Sequence, residues 1–338
     1  MVSKKKGAWY IILATIFFSS MEVALKLTGG QFNPIQLTFL RFLIGGLVLF
    51  PLAVNEGKKK GFSLRRFDIG FFLLTGLICV VVSMILFQLS VLYSPASAVA
   101  VLFSCNSVFV VMFAYLLLRE PIRRHTVVSI LVIVAGMLVI VDPLSGKGSA
   151  AGTVCVLGSA VTFALYNILG RTRSGRCGGI TLTCASFFAG CAEMLAIIGL
   201  SHIPALARQF RSMGLSIFSE VPLLEGITLR TIPSLLYVGI CVTGLGYTFY
   251  FLAMEATDAA TAALVFYIKP VLAPLFALAV LGEAITGRMA LGIVFILAGS
   301  LIAFLPVLRR GKAEPRAEDL RKSEEEFEAK TGKASAKP

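Results

Sequence analysis

Five ionisable side chains stand inside long apolar runs of this sequence: Glu22, Lys26, Arg41, Glu193 and Lys269. A charge in hydrocarbon is costly, and it is kept where it pairs, carries a proton or meets a ligand. Lys269 lies about 15 Å along a run that rises ~1.5 Å per helical residue, near the middle of a ~30 Å hydrocarbon core. Its chemistry suits capture of a carboxylate or other anionic group. The competing role is a structural pair with a buried glutamate. Glu22, Arg41 and Glu193 share a level roughly 7–11 Å from the outer ends of their runs. The spacing allows a Glu22–Arg41 pair across the first helical hairpin, with Lys26 one turn from Glu22. Arg41 reads as charge neutralisation within a bundle, and Glu22 or Glu193 as a candidate proton-coupling carboxylate.

Such residues need spanning elements to hold them. Of 338 residues, 57% are hydrophobic and 14% charged, against about 25% charged in a soluble domain. Too little polar surface is available to cover the apolar mass in water. Ten runs approach the ~20 apolar residues that a spanning helix needs: 8–27, 34–54, 69–93, 95–118, 125–141, 150–170, 179–200, 231–253, 259–281 and 289–308. The continuous runs exclude a barrel of alternating strands. Ser94-Pro95 alone separates the third run from the fourth, which predicts a tight helical hairpin. The first run is too long for a signal peptide.

The net charge of +13 is largely a statement of orientation. Twenty-three of the 31 Lys and Arg residues fall on one side, in the amino-terminal segment, the loops after spans two, four and six, and the tail. Five fall on the other side and three within spans. The excess of basic loops marks the cytoplasmic side, so both termini are expected in the cytoplasm, and nucleic acid is a poor partner for these charges. A charged tail, 309–338, is expected to be solvated.

The chain repeats itself. A shift of 145 carries Gly7, Phe18, Thr38, Phe42 and Gly45 onto Gly152, Phe163, Thr183, Phe187 and Gly190, and a shift of 163 carries Leu118-x-Glu120 onto Leu281-x-Glu283 and Ala135-Gly136 onto Ala298-Gly299. Each half, 7–141 and 150–308, holds five spans. Five is odd, so the second half enters the membrane inverted. Inverted repeats are the architecture of many secondary transporters, with the substrate near the midplane between the halves. The fold class expected is therefore an all-α integral membrane protein of ten transmembrane helices in two inverted five-helix repeats.

The repeat adds candidates. Asn106 is the partner of Lys269, and Asn167, beside Tyr166, is the partner of Glu22. Tyr247, Tyr250 and Tyr267 could line a pocket or simply pack. Pro270 and Pro274 remove backbone donors and predict a kink beside the cavity. Ala135-Gly136 and Ala298-Gly299 offer close-packing faces, compatible with a monomer or a homodimer.

Enzymatic chemistry finds little support. The two histidines, His125 and His202, lie near span ends, with no HExxH motif and no mid-span aspartate. Cys177, Cys184 and Cys191 recur every seven residues, about 10.5 Å apart on a helix, too far to share one zinc ion. No cofactor is expected.

Several motifs resemble the ten-span members of the drug/metabolite transporter superfamily that carry two EamA domains. They are Phe18-Ser19-Ser20 through Lys26, Pro34 through Arg41-Phe42, Arg119-Glu120-Pro121, and Lys269-Pro270 through Leu281-Gly282-Glu283 with Gly292 and Ala298-Gly299. The family's usual Trp-Gly is Phe18-Ser19 here. The resemblance covers about residues 7–307 and implies transport of small polar metabolites, often amino acids and usually outward, by helices rocking around a central cavity. The substrates expected are amino acids or related organic acids and amines, moved across the cytoplasmic membrane. A lipid or headgroup flippase of the same fold and a channel-like facilitator are the alternatives.

Overall fold

A backbone in lipid must satisfy its own hydrogen bonds, so an apolar run folds as a helix. The computed structural model describes residues 4–120, 124–141, 149–257, 259–262 and 264–310, and every regular element among them is helical. The first span is α1 (Lys4–Ser19) and α2 (Met21–Thr28), and the second is α3 (Pro34–Lys59). The third is α4 (Arg66–Gly76), a π-helical segment (Leu77–Ser83) and α5 (Met84–Tyr93). The fourth is α6 (Ala96–Phe103) and α7 (Asn106–Leu118), and the fifth is α8 (Arg124–Val141). Then come α9 (Ala150–Cys177), α10 (Gly179–Ser201) and a short surface helix, α11 (Pro204–Ser212). The eighth span is α12 (Ile232–Leu236), a second π-helical segment (Tyr237–Leu245) and α13 (Gly246–Ala256). The last two are α14 (Ala259–Ala262) with α15 (Leu264–Leu281), and α16 (Gly287–Arg310). Among the described residues nine helical stretches are long and apolar enough to cross a membrane, while the apolar stretch of α16, Gly287–Ile302, is shorter. Of the charged tail, 309–338, only the end of α16 lies within the described residues.

Two features depart from ten plain helices. The first and fourth spans break, at Ser20 and at Ser104–Cys105. The third and eighth spans widen into π-helix at positions that the shift of 163 superimposes. The wide turn fits local chemistry at Thr243, whose hydroxyl donates to the Val238 carbonyl five residues back at 2.9 Å. Each widened segment is crossed by a glycine of the other repeat. A β-carbon on Gly45 (α3) would stand 2.5 Å from Thr243 Cγ2, and one on Gly190 (α10) would stand 2.5 Å from Val80 Cβ. Gly45 maps onto Gly190 and Val80 onto Thr243, so the same crossing is built twice, once in each orientation.

The fifth and tenth spans pack on each other. Ser129 donates to the Gly299 carbonyl at 2.7 Å, and a methyl group on Gly136 would stand 2.8 Å from the Gly292 carbonyl oxygen. The small-residue faces of α8 and α16 are thus used within the chain. The α10 cysteines also serve packing, with Cys184 and Cys191 donating to the α3 carbonyls of Gly46 and Phe39. On the basic face, Asp68 accepts from Arg176 at 2.7 Å and pairs with Arg173. On the opposite face, the 201–230 segment lies over the end of α3, where Gln36 donates to the carbonyls of Leu223 and Glu225 and Asn33 to that of Ile217.

Candidate functional site

The breaks place polar groups at mid-depth. Glu22 opens α2, where a negative charge suits the amino-terminal end of a helix, and is 1% exposed. Its carboxylate meets the Lys269 ammonium at 2.7 Å, with both side chains buried. The ammonium also lies over the Phe103 ring, 5.5 Å from its centroid, one residue before the break in the fourth span. The pair therefore ties the first span to the ninth, with Phe103 at the end of α6 against it. Glu22 Oε2 has no hydrogen-bond partner among the described residues.

The expected Glu22–Arg41 pair is not formed, because α15 brings Lys269 to the carboxylate first. Arg41 is 1% exposed, with its guanidinium carbon 4.7 Å above the Phe42 ring. Its Nε and Nη2 have no hydrogen-bond partner among the described residues. Tyr247, Cys79 and Glu22 are the groups within electrostatic reach. Lys26 does not pair with Glu22 either. Its ammonium donates to the carbonyls of Val91 at 2.8 Å and Ser94 at 2.9 Å, capping α5, whose last carbonyls would otherwise lack partners. Glu193 is half-buried on α10, and its Oε2 has no partner among the described residues.

The aromatic candidates form a wall. Tyr247 meets Phe18 and Phe187 edge-on at 5.1 and 5.3 Å, and Phe187 meets Phe42 at 4.7 Å. Tyr250 packs edge-on against Phe266. Tyr166 is buried and donates to Thr183 at 3.2 Å, while Asn106, Asn167 and Tyr267 are half-buried. Pro270 and Pro274 are buried inside α15, which is continuous through both. Interruptions fall in the first and fourth spans.

The repeat exposes an asymmetry. Glu22, Arg41 and Lys269 map onto Asn167, Ser186 and Asn106, so three charged positions have neutral polar residues as their repeat equivalents. Ser186 was not among the sequence candidates, although the shift of 145 from Arg41 points to it. It donates to Leu182 and shares a 2.8 Å hydrogen bond with Thr75. Among the described residues no three His, Cys, Asp or Glu side chains cluster as metal ligands would.

Glu283 and Glu120, the repeat's matched glutamates, are used differently. Glu283 crosses to the first repeat and caps α6, accepting from Ala96 N at 2.8 Å, Ser97 N at 3.0 Å and Ser97 Oγ at 2.6 Å. Glu120 accepts from Arg171 at 2.8 Å on the basic face.

Comparison with known proteins agrees with this architecture. The profile of the EamA-like transporter family matches residues 5–142 and again 150–305. A Clostridium kluyveri protein described as an uncharacterized transporter is 36% identical over 326 residues, covering 94% of this chain and 97% of its own. The pseudopaline exporter CntI of Pseudomonas aeruginosa is 28% identical over 172 residues, 51% of this chain and 59% of its own. A crystal structure 19% identical in sequence superposes with a TM-score of 0.61 over 91% of this chain and 99% of its own, a likeness of fold. Two matched halves, a full-length relative and a two-repeat helical fold together make this chain a member of the EamA-like transporter family, an integral membrane transporter.

Proposed function

We propose that this transporter is a secondary carrier of small polar metabolites, amino acids or related organic acids and amines, working outward across the cytoplasmic membrane by alternating access. The observation that carries the reading is the Lys269–Glu22 pair at 2.7 Å, buried where the first and fourth spans break. A carrier needs a site that can exchange partners, and an ion pair with one unsatisfied carboxylate oxygen can do so. Protonation of Glu22 releases Lys269 to a substrate anion, and loss of the proton restores the pair. One proton then accompanies each turn of the cycle. Outward movement is supported by similarity to an exporter, and the excess of basic residues on the face of Lys58–Lys60 and Arg171–Arg176 supports cytoplasmic termini.

The test is counterflow in proteoliposomes preloaded with single amino acids and organic acids. Saturable exchange is expected, lost in Lys269→Gln, while net movement into vesicles without internal substrate should fall when an imposed proton gradient is collapsed. Flux that does not saturate would indicate a channel-like facilitator. Lipid scrambling without metabolite movement would indicate a flippase.

A further inference from the structure

Arg41 is buried to 1% exposure, yet two of its donors are unmet among the described residues. The two belong together. Nε–H and the adjacent Nη2–H form one edge of the planar guanidinium, the edge that matches both oxygens of a carboxylate. The Phe42 ring covers a face of the group at 4.7 Å, and that edge is buried with no hydrogen-bond partner among the described residues. The Glu22 carboxylate is committed to Lys269 at 2.7 Å. These three residues thus supply one negative and two positive side chains, and a buried charge without a partner is costly.

Packing does not require this charge. The equivalent position in the second repeat is Ser186, at a crossing built the same way, and its hydroxyl is fully engaged with Leu182 and Thr75. The fold makes this crossing with a neutral residue in one repeat and with an arginine in the other. We propose that the Nε–Nη2 edge of Arg41 binds a carboxylate of the transported metabolite, which makes the substrate an organic acid or an amino acid and excludes simple amines. The half-buried amides of Asn106 and Asn167 take its other polar group. This inference rests on the midplane being the substrate site, as the carrier reading has it.

The experiment is thermal denaturation of the detergent-purified full chain with acetate, succinate, alanine and glutamate, each beside its amide. A ligand that binds the native state raises the midpoint. At least one acid is expected to raise it where its amide does not, and Arg41→Gln should weaken that effect about ten-fold or more, as loss of a charged hydrogen bond does. Without ligand, Arg41→Gln and Arg41→Met should melt at or above the parent temperature, because an unpaired charge has been removed. Equal shifts with acids and amides, an undiminished shift in Arg41→Gln, no shift with any acid, or a lowered midpoint in both unliganded variants overturns the proposal. Counterflow of amides or amines alone would overturn it while leaving the carrier reading intact. Absence of counterflow for every solute would overturn that reading itself.

Discussion

A lysine in the middle of a membrane can bind substrate or neutralise a neighbour, and at Lys269 the two uses share the same atoms. Its ammonium has the Glu22 carboxylate at 2.7 Å. The residue types and depths were legible in the sequence, because ionisable groups stand out against apolar runs. The partner was not. Helical spacing pointed Glu22 toward Arg41 and Lys26, both close in the chain, whereas the true neighbour is 247 positions away and arrives through tertiary packing. Removing one member of a buried pair leaves a lone charge and costs about 3–5 kcal/mol, while replacing both is often close to neutral. Lys269→Gln should therefore lower the melting midpoint of the purified chain clearly, and Glu22→Gln with Lys269→Gln should recover most of that loss. Transport should stay absent in the double variant. A double variant no more stable than Lys269→Gln would show that the pair is not the main partner of either group.

Helix existence follows from hydropathy, and so the spans were legible, with ends up to about seven residues off where α3 and α9 run on into Lys59 and Cys177, as was the Ser94-Pro95 hairpin. Hydropathy does not report hydrogen-bond register. The π-helical segments at Leu77–Ser83 and Tyr237–Leu245 carry the same apolar residues that an ordinary helix would, and each is crossed closely by a glycine of the other repeat. The breaks at Ser20 and Ser104–Cys105 escaped for the same reason, while Pro270 and Pro274, where a kink is expected, lie within one helix. The crossing of α3 over the second π-helical segment leaves no room for a side chain at Gly45, since a methyl group there would stand 2.5 Å from Thr243 Cγ2. Overpacking of this kind costs about 1–3 kcal/mol. Gly45→Ala should lower the melting midpoint accordingly, and adding Thr243→Ser, which removes the offending methyl, should restore part of it. An Ala variant as stable as the parent would mean that the two helices can separate at no cost.

At the scale of the whole molecule, the inverted repeat was legible from two residue shifts, but the state of the molecule was not, because a sequence with two-fold pseudosymmetry describes both of its related states equally. The structure breaks the symmetry. On the face away from the basic residues, α6 packs on α2 and α15, Val23, Ala96 and Ala277 share one buried cluster, and Glu283 caps α6. Toward the basic face, α7 packs on α9, Ala114 is the one buried residue of α7, and Glu120 is held by Arg171. The fourth and ninth spans are thus latched together at one end. If the molecule alternates, this latch must open once per cycle, and a lock across it must stop transport without unfolding the protein. Ala96→Cys with Ala277→Cys supplies such a lock, bridged by mercuric ion. Counterflow should cease on bridging and return when excess thiol removes the metal, while each single variant under the same treatment keeps its rate. The native cysteines serve as an internal control, since five of the seven are buried and none is disulfide-bonded. Unimpaired counterflow in the bridged double variant would mean that the α6–α15 contact stays closed throughout transport, and the moving elements would then have to be sought in the α8–α16 pair.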